Sequence, residues 1–438
     1  MEKRVLFATD VPFWQTSTGA EQRIFALHRF LKNEECDCAV FYLGKLDDTE
    51  RQMVDQYGIE VFDCVSDEPP EKLVSRLRWY ADATIHQARN WLFREKGATA
   101  VVDGPASLTL EDFEWPWAKT RFSETVQSYD PDCVIFEYIK MAYLVDALDQ
   151  NQRNCTQCLV DTHDVLYRRA EQFFAHGFPH WLEIDREQEA GVLKKFDAVI
   201  AIQDKEAKTF SEMTDSMIPV ITAGHAVDSD VDNEVSQKIG RPPKKIVVGY
   251  IGSKNFSNWQ AIRQFLYCAW PTVVERNAAT CELVIAGGIC DWFDSDLDGK
   301  PILRSNVGAD GKDEGDVYGP IENVKLLGRI DSIDEFYDQI DVVINPVEFG
   351  TGLKIKNAES LRFGKLLITT TNGFDGMPEA TRLACMVVEN VNEMGQAINS
   401  ICNDLPSIRP MQELALQLSQ TEFSESQAYS ELKRYLES

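Results

Sequence analysis

The sequence predicts an α/β protein built from two doubly wound domains. Three observations carry this. Short, continuous apolar runs recur along the chain, amphipathic stretches of helical spacing separate them, and the pattern restarts after a polar break near the middle.

The first series of strand-like runs covers residues 5–9, 39–43, 133–138, 158–161, 198–202 and 220–222. The second covers 246–251, 283–286, 324–327, 342–345 and 366–369. Most are apolar throughout rather than alternating, which suits parallel strands covered on both faces. Between them, residues 20–31, 189–196 and 259–274 have helical spacing, and 424–436 reads as a charged amphipathic helix. Strands alternating with helices argue for doubly wound sheets.

The break spans residues 228–245. It is polar and carries Gly240, Pro242 and Pro243 just before a new strand, where no helix continues. The expected domains are therefore 1–237 and 245–415, followed by a helical tail over 416–438. Two segments depart from the alternation. Residues 66–130 are helical and rich in Trp, Arg and acidic side chains, an elaboration of the first domain. Residues 289–323 form a polar, Gly- and Asp-rich insertion that reads as a long loop.

Composition narrows the function. Among 438 residues, 71 Asp and Glu oppose 44 Lys and Arg, a net charge of −27. Such a surface repels phosphate backbones and anionic lipid, so nucleic acid is not an expected partner and membrane association is weak if any. A small phosphorylated ligand is still compatible, because a few basic groups and backbone amides can hold one locally. The 11 cysteines are scattered, several within apolar runs (Cys133, Cys281), and read as reduced thiols. Cys155 and Cys158 have no second pair at zinc spacing. The N-terminus opens directly into a strand, and no apolar run approaches the ~20 residues that span a bilayer. A cytoplasmic location is expected.

The chemistry concentrates in residues 341–377. A buried strand ends at Asn345-Pro346. Gly350-Thr351-Gly352 then leads into a helix, where free amides and the helix dipole favour an anion and glycines admit close approach. Lys354 and Lys356 sit in the first turn, against the dipole, and an anion between them explains their presence. Glu359 lies about one turn on, placed to accept from a ribose diol. An ordinary β-loop-α turn with solvated lysines has the same local pattern.

This segment resembles the donor-site signature of glycosyltransferase family 4, the "glycosyl transferases group 1" type. Glu359-Ser360, Gly364-Lys365-Leu366 and Thr369, with Asn372-Gly373 and Gly376 beyond, follow the family's order. Residues 5–23, 160–165, 195–206 and 250–258 resemble the family's other strand-end motifs, as do 326–329 with 334–336. The match covers most of the chain outside 66–130 and 289–323. It implies the GT-B fold: two Rossmann-like domains facing across a cleft, with a C-terminal helix crossing back to the first. It also implies a retaining, metal-independent transfer of sugar from a nucleotide-diphosphate donor to a hydroxyl of a saccharide, glycan or small molecule, with no separate cofactor.

The residues that the resemblance assigns are His163, Lys354 and Lys356 for catalysis, His163 lying on the transferred sugar with Asp164 orienting it. Donor contacts fall to Gly19, Gly252, Ser253, Gly350, Thr351, Gly352 and Glu359. One departure stands out. The family often has a glutamate eight positions before Glu359, and here that position is Thr351, so Thr351, loop amides or Glu348 must serve the donor sugar.

Further motifs have blander readings. Asp294-x-Asp296-x-Asp298-Gly299 matches the start of a calcium loop, but position twelve is Ser305 and Pro301 interrupts it, so a solvated acidic loop is expected. Aromatics over 78–93, and Phe113, Trp115 and Trp117, read as core, with sugar stacking as the functional alternative. Two other activities fit the fold: a sugar-nucleotide epimerase or hydrolase, or a silent partner protein.

Overall fold

The computed structural model describes residues 3–63, 108–178, 180–227, 245–295, 301–307, 313–330, 332–404, 406 and 408–438, and over 294–320 its backbone alone. The break at 228–244, the aromatic stretch 78–93 and the acidic positions 296–299 lie outside the described residues.

The first sheet holds β1 (Arg4–Thr9), β2 (Asp37–Tyr42), β3 (Glu60–Asp63), β4 (Cys133–Glu137), β5 (Gln157–Asp161), β6 (Ala198–Ala201) and β7 (Val220–Thr222). Its order is β3-β2-β1-β4-β5-β6-β7, and all pairs are parallel. The second sheet holds β8 (Ile246–Ile251), β9 (Cys281–Ala286), β13 (Val324–Gly328), β14 (Val342–Asn345), β15 (Leu366–Thr370) and β16 (Cys385–Val388), in the order β13-β9-β8-β14-β15-β16. All its pairs are parallel as well. The continuous apolar runs are explained by burial: every residue of β4, β6, β14 and β15 is buried. Covering one Val, Leu or Ile contributes about 1.5–3 kcal/mol.

Strand order reverses between β1 and β4 in the first sheet and between β8 and β14 in the second. Ligands of open α/β sheets bind beyond the carboxyl ends of strands at such switch points. The second switch point therefore falls beside Gly252-Ser253 and the loop that follows Asn345.

The C-terminal segment packs on the first sheet. Tyr429, Leu432 and Leu436 are buried in the core that contains Val5, Phe7 and Leu31, with Tyr429 against Phe30 at 4.7 Å between ring centres. The preceding helix Ile408–Glu422 belongs to the other side: Ala415 and Phe423 share a core with Val343 and Leu361.

Four departures from the sequence reading have local causes. Residues 259–274 are not one helix: Phe256–Cys268 ends at Ala269, and Trp270–Asn277 begins anew with Pro271, which cannot donate an amide hydrogen bond. The polar insertion is not a structureless loop but an antiparallel sheet of β10 (Asp294–Ser295), β11 (Pro301–Val307) and β12 (Asp313–Pro320). Two further strands, β3 and β16, are short edge strands with partly exposed faces: β3 has an acid at each end, and β16 is an apolar run of only four residues.

Candidate active site

Two strand ends and two glycine-bearing loops converge. From the second sheet, β14 delivers residues 346–354 and the helix Ile355–Arg362. From the first, β4 delivers Tyr138 and β5 delivers Thr162, His163 and Asp164. The two sides touch directly: Thr351 Oγ1 donates to Asp164 Oδ1 at 2.9 Å. Gly352 has φ +76°, a region that favours glycine, and a Cβ there would run into Asp164 and the carbonyl of His163. Phe349 anchors the loop further, stacking on His176 at 4.2 Å between ring centres and packing against Phe173 and Phe178.

His163 is buried, with φ +60°, and its ring stacks on Tyr138 at 4.1 Å and 11°. Tyr138 also has positive φ. Two non-glycine residues in this sparsely populated region, side by side, mark a strand-end geometry held by its surroundings. His163 Nε2 lies 2.7 Å from Glu137 Oε2, so Glu137, not Asp164, orients the imidazole. Asp164 is instead engaged by Thr351 and by Arg169. Burial pushes the Glu137 carboxyl up to about 7, with the His163 bond opposing.

Beneath this pair lies Asp161, chelated by Arg23 through Nε at 2.8 Å and Nη2 at 2.7 Å. Arg23 also donates to the carbonyl of Gly224. Glu137, Asp161 and His163 bring ligand atoms within 4.8 Å of one another, as a metal would require. The Arg23 guanidinium already supplies the positive charge that such a carboxylate cluster needs.

On the facing domain, Lys354 is the N-cap of its helix, and its Nζ donates to the carbonyls of Thr351 (3.1 Å) and Gly352 (2.8 Å). Burial lowers its pKa. Lys356 Nζ donates to Asn258 Oδ1 at 3.0 Å and lies 4.7 Å from the Tyr250 ring centre. Burial lowers this ammonium to about 7. Asn258 in turn donates to the carbonyl of Ser253 at 3.0 Å, which ties Gly252-Ser253 to Lys356. Glu359 is half-buried, 3.5 Å from the Tyr337 hydroxyl and bonded to Gln22, and burial raises it to about 7. Gly19 opens the helix Gly19–Asn33, capped by Thr18, and faces Ile355 across the cleft.

Some assigned roles are not what the geometry displays. Glu348 turns away from the loop: its oxygens accept from Gln264 at 2.7 Å and from the Val391 amide at 3.0 Å. The amides of Gly350 and Gly352 are engaged by the first domain, donating to Gln172 (2.6 Å) and Glu206 (3.1 Å). Glu137 and Gln172 lie in no segment that resembles a family motif, and Arg23 and Glu206 stand at the ends of such segments without a role that the local sequence marks. Asn258 lies within a motif-like stretch, yet nothing local reveals its bond to Lys356.

Residues 245–404 match the family model described as glycosyl transferases group 1. No curated protein matches the chain. Among solved structures, the chain is similar to sucrose-phosphate synthase from Thermosynechococcus elongatus (14% identity, TM-score 0.62, covering 100% of this chain and 99% of that one). It is similar also to Anabaena Alr3699/HepE in complex with UDP (13%, 0.60, 100% of both chains) and to TarM (10%, 0.63, 100% and 98%). At these identities the likeness speaks for the fold. The matched segment contains β8, the 346–354 loop and the helix that bears Lys356 and Glu359, which are the parts of the cleft contributed by the second domain. The chain thus has the two-domain GT-B fold, and its second domain matches the model of the group 1 glycosyltransferases.

Proposed function

We propose that this protein transfers a sugar from a nucleoside-diphosphate donor to an acceptor hydroxyl, with retention of configuration and without a metal ion. The observation that carries this reading is the meeting of His163 with the Gly350–Lys356 segment, joined through Asp164 and Thr351. Breaking the bond between the anomeric carbon and the diphosphate oxygen leaves negative charge on the departing phosphate. Lys354, Lys356 and the start of the 355–362 helix supply fixed positive potential where that charge develops. Freed loop amides of Gly350 and Gly352 add donors once the first domain's side chains yield them. The acceptor hydroxyl oxygen forms the new bond to the anomeric carbon, and its proton leaves with the phosphate. Glu359 holds the ribose diol, and His163, fixed by Glu137 and Tyr138, contacts the transferred sugar.

In the same reading, 1–237 is the acceptor side and 245–415 the donor side, and within 416–438 it is the part from Tyr429 on that returns to the first sheet. The donor is a substrate and no further cofactor takes part. No helix among the described residues is long and apolar enough to cross a membrane, which accords with a cytoplasmic enzyme that makes at most weak membrane contact. UDP is the nucleotide named for a similar structure, so UDP and UDP-sugars are the first donors to test.

The deciding experiment is a thermal-shift and turnover screen with UDP, GDP and ADP sugars, repeated in EDTA. Stabilisation by one nucleoside diphosphate, with EDTA-resistant turnover and a product of retained configuration, is expected. No shift with any of them defeats the donor reading and revives the silent-partner alternative. Turnover that EDTA abolishes and Mg²⁺ restores defeats metal independence.

A further inference from the structure

One side chain, Asn258, joins the end of β8 to the helices Phe256–Cys268 and Ile355–Arg362. Its Oδ1 accepts from Lys356 Nζ at 3.0 Å and from the Tyr250 hydroxyl at 3.2 Å. Its Nδ2 donates to the carbonyl of Ser253 at 3.0 Å and to Ser253 Oγ at 3.2 Å. An ammonium can only donate, so the carboxamide oxygen must face Lys356 and the NH₂ group must face Ser253. Gly252 keeps the place open: a Cβ there would lie 3.3 Å from Asn258 Cγ and 3.1 Å from the Tyr250 ring.

The same logic fixes Asn255. It is the N-cap of the Phe256–Cys268 helix, and its Oδ1 accepts from the Asn258 amide at 2.9 Å. Its Nδ2 is therefore turned to Ser253 Oγ, at 3.0 Å. Ser253 Oγ thus accepts from two amide groups, which occupies both of its lone pairs. Among the described residues nothing accepts its hydrogen. Ser253 is half-buried and stands at the second switch point, so its hydroxyl is left to donate to a group from outside the protein.

The carboxamide also leaves Lys356 its charge. It accepts from the ammonium without neutralising it. An aspartate of the same shape would neutralise Lys356 and would accept the Ser253 hydrogen itself. The other groups that act on Lys356 are Glu359, which favours the charged form, and Lys354, which opposes it. Glu359 is engaged by Gln22 and Tyr337.

We infer that Asn258 is a positioning residue of the donor site, which aims two donors, the Lys356 ammonium and the Ser253 hydroxyl, at one anionic group, the diphosphate. This rests on the transferase reading above. Both donors hang on one carboxamide, so they meet the same ligand as a pair, and Asn258 acts only through them.

The test is calorimetry on the full chain with UDP and with inorganic pyrophosphate. Asn258→Asp keeps the shape and adds a charge, and is expected to weaken both ligands at least about tenfold. Asn258→Ala, Lys356→Met and the double variant form a cycle that a merely space-filling Asn258 would leave additive. Lys356→Met is expected to cost at least about tenfold in the wild-type background, and less than about threefold once Asn258 is gone. Ser253→Ala is expected to cost about fivefold in the wild-type background and to have no further effect beside Asn258→Ala. Additive losses in both cycles overturn the inference, as does an Asn258→Asp protein that binds as tightly as the wild type. Where Asn258→Asp loses its thermal transition, the cycles built on Asn258→Ala decide. Pyrophosphate binding that obeys the cycles while UDP fails to bind upholds the role of Asn258 and falls on the nucleotide alone. Failure of both ligands on the wild-type protein overturns the donor reading and this inference together.

Discussion

Glu206 accepts a hydrogen bond from the amide of Gly352 at 3.1 Å, so a carboxyl group of the first domain occupies a donor that the phosphate site of the second would use. Burial, with Asp164 nearby, raises this carboxyl to about 8. Below that pH it is largely neutral and tolerates an incoming diphosphate, and above it the ionised form competes and repels. UDP affinity is therefore expected to fall between pH 6.5 and 8.5. Glu206→Gln removes the charge and should flatten that fall, binding UDP about fivefold tighter at pH 8.5, roughly 1 kcal/mol. Calorimetry at both pH values checks this. Weaker binding by the variant at pH 8.5 would show that the bond helps rather than competes.

Lys356 offers a second pH-linked test. Burial leaves its ammonium with a pKa of about 7, and it donates a hydrogen bond to neutral Asn258. A diphosphate placed beside it favours the charged form, so binding at pH 7.5 is expected to take up a proton. The uptake is read by calorimetry in buffers of different ionisation enthalpy. Lys356→Met should reduce it and cost at least tenfold in UDP affinity, about 1.4 kcal/mol. Equal affinity in the variant would remove Lys356 from the donor site.

The contrast between these two residues shows what a sequence displays. Lys356 stands in a loop-helix pattern whose local physics points to an anion, and its placement on the helix is legible from spacing alone. Glu206 is one of 71 acidic residues, and its meaning comes from a contact 146 positions away. The fold divides the same way. Central strands such as β4 and β14 are apolar up to their last residue because both faces are covered, so the sequence displays them plainly. Edge strand β3 and the antiparallel pair β11–β12 have no such run, β16 is apolar but only four residues long, and their pairing is decided by neighbours that the local sequence does not name. The position of His163 just past a strand end is legible in the sequence. The orienting role of Glu137 is not, since a lone acid at the end of an apolar run looks like a strand terminus.

Glu137 is expected to act through His163. Replacing it with Gln keeps the volume and a hydrogen-bonding group but changes what the imidazole meets at Nε2. Misplacing a sugar-contacting group by about 1 Å costs up to ~100-fold in rate. Glu137→Gln should therefore lower kcat about 10- to 100-fold while leaving the donor KM within about twofold, because Glu137 bonds to His163 of its own domain. Steady-state kinetics with the best donor decides it. An unchanged kcat, or a rise in KM alone, would leave Glu137 a purely structural residue.

Arg23 and Asp161 set the foundation of that arrangement. Their two-pronged pair spans 138 positions and is almost wholly shielded, with 2% and 0% of the side chains exposed. Removing one member strands the other charge in a low-dielectric interior beside Glu137, and such a break costs about 3–5 kcal/mol. Arg23→Met is accordingly expected to destabilise the protein by that amount in urea unfolding. The exposed pair Lys195–Asp146, at 2.8 Å with 40% and 47% of its side chains exposed, supplies the control. Lys195→Met should change stability by less than about 1 kcal/mol. Similar losses in both variants would mean that the buried pair contributes no more than a surface contact, and that the His163–Glu137 geometry is held by the strand ends alone.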